Sequence, residues 1–262
     1  MLIFAADLDN TLIYSRKKAP KKSRCVEWKE GRELSYMSEN SYQRLQKINE
    51  TKEIYIVPIT TRSLEQYQRI RLLEKGPELA VVSNGGILLI DGKVEESWKK
   101  ESMEMILESR DELEKAKAYL EKDENRNFEL RNIDDMFLFT KSQNTTDTIS
   151  GLEKILNLSM VSVMENYNKI YVIPRILDKG LAIRRLRKYL QEKYLQKSQT
   201  FTILAAGDSN FDIPMLQEAE YAVALEETYF TETLGSKEHA CFWNGKKNLF
   251  SGYVLDIVEK YC

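Results

Sequence analysis

Short apolar runs recur along this 262-residue chain, and most of them end abruptly in polar residues. LIFAA at residues 2–6 meets DLDNT, IYIVPIT at 54–60 meets TRS, and FTILAAG at 201–207 meets DSNFD. LAVVSN covers 79–84 and YAVAL 221–225. Runs this short and apolar read as buried strands rather than helices. Between the first three lie two helical patterns. One begins at Glu39, is capped by Ser38, and carries Tyr42, Leu45 and Ile48 on one face. The other is expected from TRSLEQYQRIRLLEKG and ends at Gly76. Strand, helix, strand, helix, strand specifies a parallel sheet with helices on its faces.

Ahead of Glu39 the segment RKKAPKKSRCVEWKEGRELSY reads as a basic loop followed by a hairpin, with CVEW and ELSY about the turn KEGR. In mid-chain the rhythm changes. ILLIDGKVEES reads as a hairpin about Asp91-Gly92, and a charged helix is expected over about 108–122. FELRNIDDMFLFTKS carries strand-like stretches, DTISGLEKILN a helix, and MVSVMENYNKIYVIP two strands about a polar turn at 165–168. That alternation predicts an α+β unit over a small antiparallel sheet. We place it at residues 92–173, inserted into a core of 1–91 and 174–262. The core style then returns: Lys179 opens a basic amphipathic helix to Tyr194, DIPMLQEA is a short helix, and GYVLDIVEKYC a terminal one. The expected fold class is α/β, a doubly wound Rossmann-like core with an inserted α+β cap domain.

Composition narrows the chemistry. Lysine and arginine number 39 against 41 acids, a net charge of −2, so nothing draws the chain to nucleic acid or to an anionic membrane. No apolar run approaches the ~20 residues that cross a bilayer, and the first residues lack the basic start of a signal peptide. Cys25, Cys241 and Cys262 lie far apart without CxxC spacing, which fits a reduced, cytoplasmic setting. His239 is the only histidine and has no partner signal around it, so it reads as a surface residue. Catalysis must then run on carboxylates and a lysine, with or without a metal.

Open α/β sheets bind ligands outside the carboxyl ends of their strands. Those ends carry Asp7-Leu8-Asp9-Asn10-Thr11, Thr60-Thr61-Arg62-Ser63 and Gly207-Asp208-Ser209-Asn210-Phe211-Asp212, with Asp178-Lys179-Gly180 opening the helix after the insertion. Two carboxylates at the end of one buried strand repel, so a positive partner is expected between them. Acids, hydroxyls and a lysine at one sheet edge suit Mg²⁺ and a phosphoryl group.

In order and spacing, DLDNT, the Thr60 strand end, Lys179 and GDSNFD resemble the motifs of haloacid dehalogenase (HAD) superfamily phosphatases. The insertion resembles a type II cap, and Ser83-Asn84-Gly85-Gly86 before it resembles the Cof-like and sucrose-phosphatase-like branch with its type IIB cap. The resemblance implies that Asp7 is a nucleophile forming an aspartyl-phosphate and that Asp9 is the general acid and base. It implies that Thr60 and Lys179 steady the phosphoryl group, and that Asp7, Asp9 through its carbonyl, Asp208 and Asp212 hold Mg²⁺. Thr61, Arg62, Asn84 and Asn210 are the expected substrate-binding residues. Two positions depart from the pattern: Phe211 replaces the asparagine of GDxxND, and Thr61 stands where relatives often have glycine.

Plainer readings stand beside these. Asp178-Lys179 can cap its helix, Asp212 can be an N-cap for DIPML, Asn84 can serve only its turn, and Arg62 can pair at the surface. The run Arg16, Lys17, Lys18, Lys21, Lys22 and Arg24 is either a solvated loop or a flap attracting an anionic substrate. The expected function is a Mg²⁺-dependent phosphatase acting on a small phosphorylated metabolite, with sugar phosphates among the candidates. The alternatives are a phosphotransferase or mutase using the same intermediate, and a non-catalytic regulatory module on the same fold. Oligomeric state is left open.

Overall fold

The structure, a computed structural model, describes residues 1–51, 53–194, 201–246 and 249–261. The chain divides into two compact units, one formed by Met1–Glu95 with Asp178–Cys262 and the other by Glu96–Leu177.

The first unit opens with β1 (Leu2–Ala6), buried at every residue. The short β2 (Tyr14–Ser15) pairs with the hairpin of β3 (Ser23–Lys29) and β4 (Arg32–Ser38). Glu30 and Gly31, at φ 50° and 77°, make the left-handed turn that a tight hairpin of this hand requires. The Ser38 hydroxyl accepts the Ser41 amide at 3.0 Å and starts α1 (Glu39–Thr51), which buries Tyr42, Leu45 and Ile48. β5 (Ile54–Pro58) follows.

The next helix is far shorter than TRSLEQYQRIRLLEKG predicts. α2 spans only Leu64–Gln68, opened by a capping box between Ser63 and Gln66. It stops because the hairpin edge claims the backbone beyond it. Ile70 bridges Glu27 antiparallel, and the Arg71 amide donates to Val26 O at 2.7 Å. β6 (Leu79–Val82) ends earlier than LAVVSN suggests, because Ser83 and Asn84 turn left-handed. β7 (Ile87–Ile90) and β8 (Lys93–Val94) complete a meander about Asp91-Gly92.

The second unit begins with α3 (Glu96–Met105), a helix the sequence reading did not contain; ESWKKESMEM buries only Trp98 and Ser102 and offers little apolar periodicity. α4 (Arg110–Lys122), β9 (Arg131–Ile133), β10 (Phe137–Lys141), α5 (Thr145–Ile155), β11 (Val161–Asn166) and β12 (Lys169–Pro174) follow. The four strands form an antiparallel sheet in the order β11-β12-β10-β9. One face receives α4 and α5 through Leu113, Ala116, Leu120 and Leu152 against Leu138, Ile170 and Val172. Phe139 and Tyr171, one residue out of phase with those strand positions, approach each other at 5.1 Å between ring centroids.

The chain returns to the first unit through α6 (Lys179–Tyr194), β13 (Thr202–Ala206), α7 (Ile213–Glu218), β14 (Tyr221–Leu225), α8 (Thr228–Leu234), β15 (Ala240–Trp243) and α9 (Phe250–Val258). Neither α8 nor β15 is evident from the sequence pattern. Cys262, the last residue of the expected terminal helix, lies outside the described residues. The central sheet is parallel, in the order β15-β14-β13-β1-β5. β6 extends it past β5 by a parallel bridge from Ile59 to Val81, with the Thr60 amide on Val81 O at 3.0 Å. Phe4 sits opposite Leu204 and Ile56 in the interior, where each large buried side chain contributes about 1.5–3 kcal/mol. β1 is therefore central, and the chain leaves it to β5 on one side and β13 on the other. The crevice at its carboxyl end is where such sheets bind ligands. Among the described residues no helix is long and apolar enough to cross a membrane. His239 is exposed and stacks on Tyr221, with ring centroids 4.7 Å apart.

Candidate active site

The carboxyl end of β1 is fixed from both sides: the Asp7 amide donates to Ala206 O at 2.9 Å and the Ile59 amide to Ala6 O at 2.8 Å. Beyond it the chain turns tightly. The Leu8 carbonyl accepts the amides of Thr11, Leu12 and Ile13, and Asn10 is left-handed at φ 62°. The Thr11 hydroxyl donates to Asp208 Oδ1 at 3.3 Å, tying this turn to the loop after β13.

Lys179, 1% exposed, opens α6 and places its ammonium between two acids. Nζ donates to Asp7 Oδ1 at 2.6 Å and to Asp212 Oδ1 at 2.5 Å. Asp212 is fully buried, and its second oxygen accepts the amides of Asp208 and Ser209 and the Ser209 hydroxyl at 2.9–3.0 Å. It therefore closes the loop before it, and its side chain does not cap α7, the role DIPML would have given it. Gly207 permits this closure, since a Cβ there would lie 2.3 Å from the Asp212 Cβ. One oxygen from each of Asp7, Asp208 and Asp212 falls within 4.8 Å of the others.

The electrostatics follow from this crowding. Burial first, then repulsion from Asp212 and Asp9 against the pull of Lys179, pushes Asp7 up to about 7. Burial, with Asp7 and Asp212 repelling, pushes Asp208 up to about 8. Burial opposes the charge on Lys179, but Asp212 and Asp7 outweigh it and hold the ammonium above the ordinary lysine range. One ammonium does not neutralise three carboxylates, and these hard oxygen donors converge within a cation's reach. The donor set fits a divalent, oxygen-preferring ion such as Mg²⁺.

Thr60 is fully buried, and its hydroxyl accepts the Arg62 amide at 3.2 Å. Its carbonyl accepts the Asn84 amide at 3.0 Å, and the Arg62 carbonyl accepts the Ser83 amide at 2.8 Å. Ser83, Asn84 and Gly85 run left-handed in succession, at φ 54°, 56° and 106°. A Cβ on Gly85 would stand 2.8 Å from Asp178 O, so this turn seats the start of α6 as well as the Thr60 segment.

Asp9 is not part of the lysine cluster. Arg62 grips both its oxygens, Nε to Oδ2 at 2.7 Å and Nη2 to Oδ1 at 2.8 Å. Nη1 of the same guanidinium lies 2.9 Å from Oε2 of Glu27, an acid on β3 that is 2% exposed. Burial opposes the Arg62 charge, but Asp9 and Glu27 outweigh it and hold Arg62 above the ordinary arginine range. Glu27 has no motif signal. A period-2 reading of β3 hides it too, because register irregularities on both sides of it leave Cys25, Val26 and Glu27 all buried.

The structure thus brings together Asp7, Lys179, Asp208 and Asp212, and sets Thr60, Arg62, Asn84 and Asp9 around the neighbouring loops of the same unit. Thr61 is half-buried and Asn210 exposed, and the structure ties neither side chain to the carboxylate cluster. Phe211 is 6% exposed. Lys18, from the basic loop, donates to Asn10 Oδ1 at 2.9 Å.

Residues 94–229, over half of the chain, match the family described as haloacid dehalogenase-like hydrolase; the match includes Lys179, Asp208 and Asp212. No curated protein sequence matches the chain. Among solved structures it is similar to sucrose-phosphatase from Synechocystis in complex with sucrose and phosphate: TM-score 0.65, 14% identity, covering 99% of this chain and 97% of that one. It is also similar to the C-terminal domain of C. albicans trehalose-6-phosphate phosphatase, with TM-score 0.58, 15% identity and 99% and 91% coverage. A haloacid dehalogenase-like hydrolase protein from Bacillus subtilis aligns with TM-score 0.52, 17% identity and 98% and 90% coverage. At these identities the likenesses speak for the fold.

Proposed function

The chain belongs to the haloacid dehalogenase-like hydrolases, and from that premise we propose that it is a Mg²⁺-dependent phosphatase of small phosphorylated metabolites, with phosphorylated sugars foremost. The observation that carries the reading is the buried Asp7–Lys179–Asp212 chain beside Asp208, at the carboxyl end of the central parallel strand. The sugar-phosphate emphasis rests on likeness to the structures of a sucrose-phosphatase and a trehalose-6-phosphate phosphatase.

In this reading Lys179 holds one Asp7 oxygen and orients the other toward the phosphorus of a bound ester. The Asp7 oxygen–phosphorus bond forms as the bond to the ester oxygen breaks, and Asp9 passes its proton to that departing oxygen. A water then attacks the aspartyl-phosphate and gives its proton to Asp9, and inorganic phosphate leaves as Asp7 is regenerated. The Thr60 hydroxyl accepts from the Arg62 amide and keeps its own hydrogen to give to a phosphoryl oxygen. Asp7, Asp208 and Asp212, with the Asp9 carbonyl, would hold Mg²⁺, which when bound offsets negative charge on the phosphoryl oxygens.

We assign substrate choice to the inserted unit Glu96–Leu177, acting as a cap. Within it Arg131 and Lys141 both stand over the Phe128 ring, 4.8 and 4.7 Å from its centroid, a cationic and aromatic group suited to an anionic, hydroxylated ligand. The test is phosphate release from a panel of phosphorylated metabolites with Mg²⁺ and, in parallel, with EDTA. Release confined to the Mg²⁺ arm and strongest on sugar phosphates supports the reading. Transfer of the phosphoryl group to an added sugar in place of water supports a phosphotransferase instead.

A further inference from the structure

We propose that Glu27, on the hairpin outside the motif segments, is a positioning residue that sets the Asp9 carboxyl through Arg62; the inference rests on the phosphatase reading above. Glu27 is 2% exposed, and burying a carboxylate is costly unless it is paired and hydrogen-bonded. Here it is both. Oε2 faces Arg62 Nη1 at 2.9 Å and accepts the Ser35 hydroxyl at 2.5 Å, and Oε1 accepts Arg69 Nη2 at 3.2 Å. The Ser35 oxygen in turn accepts Arg62 Nη2 at 3.3 Å.

A guanidinium is planar, so fixing one edge fixes the other. Glu27 and Ser35 hold the far side of Arg62, and its Nε and Nη2 then meet both Asp9 oxygens at 2.7 and 2.8 Å. The Asp9 side chain is itself half exposed, at 50%, and would sample several rotamers without that grip; Arg62, at 13%, is the ordered partner. The direction of control therefore runs from the buried hairpin acid to the half-exposed one. The consequence is specific to the step Asp9 serves. The bidentate pair seen here is that of the ionised Asp9, the state reached once its proton has passed to the leaving ester oxygen as the Asp7 oxygen–phosphorus bond forms, so Arg62 stabilises the product of that transfer. A slack Arg62 hinders that transfer, and the loss grows with the basicity of the leaving oxygen.

The test compares kcat/KM for phenyl phosphate and 4-nitrophenyl phosphate, whose leaving phenolate needs protonation far less. Wild type, Glu27→Gln and Ser35→Ala are assayed with Mg²⁺, and circular dichroism checks folding. Glu27→Gln is expected to lose about tenfold more on phenyl phosphate than on 4-nitrophenyl phosphate, a fraction of what general acid catalysis supplies. Ser35→Ala should show the same selectivity more weakly, and it decides the matter if Glu27→Gln does not fold. Equal losses on the two esters, or none, in an active enzyme overturn the inference alone. A wild-type protein inert toward both esters and toward the metabolite panel overturns the phosphatase reading and this inference with it.

Discussion

Lys179 Nζ and Asp7 Oδ1 lie 2.6 Å apart, although 172 positions separate them in the chain. The whole inserted unit falls between them in sequence, yet the pair is buried, at 1% and 8% side-chain exposure. A buried ammonium here requires its acids, and the acids require it: removing either partner leaves a charge without compensation, a loss of about 3–5 kcal/mol in typical cases. The site is thus under electrostatic tension that a second cation relieves.

That tension has a pH signature. Asp7 and Asp208 are lifted from an ordinary 3.8 to about 7 and about 8, chiefly by burial. Through that interval the folded protein holds protons the unfolded chain has already released, so the metal-free protein loses stability as pH rises. Denaturant unfolding in EDTA at about pH 5 and about pH 8 should show a fall on the order of a few kcal/mol. Asp208→Asn should flatten it; a variant with the wild-type slope would remove Asp208 from the account.

Mg²⁺ should reverse the same loss. Binding only to the folded state raises the unfolding midpoint with ion concentration. Asp208→Ala should abolish most of that rise, because one hard carboxylate is gone from a cluster of three. A melting temperature that climbs equally in wild type and variant would place the ion elsewhere.

What the sequence alone reveals depends on where each signal sits. Asp7, Asp208 and Lys179 stand where an apolar run or a helix begins or ends, and that juxtaposition is visible in one dimension. TRSLEQYQRIRLLEKG reads as a long helix, but its later residues satisfy their backbone on the edge of β3, a partner no local pattern shows. Glu27 was invisible for a related reason. Only the irregular pairing of β3 with β4 turns it inward, and only the fold brings Arg62 and Arg69 to meet it. Arg62 reads from the sequence as a ligand for substrate or a surface charge, and the fold adds what no local pattern shows, that it bridges Asp9 and Glu27.

Specificity should separate from chemistry. Replacing Arg131 or Lys141 with alanine is expected to raise KM for the preferred metabolite several-fold, by about 1 kcal/mol of lost binding, and to leave 4-nitrophenyl phosphate nearly unchanged. Steady-state kinetics on the two substrates checks it. Equal effects on both would take these residues out of substrate choice.

Attack of Asp7 on phosphorus is tested most directly by turnover of 4-nitrophenyl phosphate by Asp7→Asn beside wild type, with Mg²⁺ saturating. Asparagine preserves the shape of the side chain and Asp212 still pairs with Lys179, so the variant should remain folded, which circular dichroism checks. Its kcat is expected to fall by about 10³-fold or more, the scale of losing a covalent route. A folded Asp7→Asn protein that keeps near wild-type turnover would contradict it.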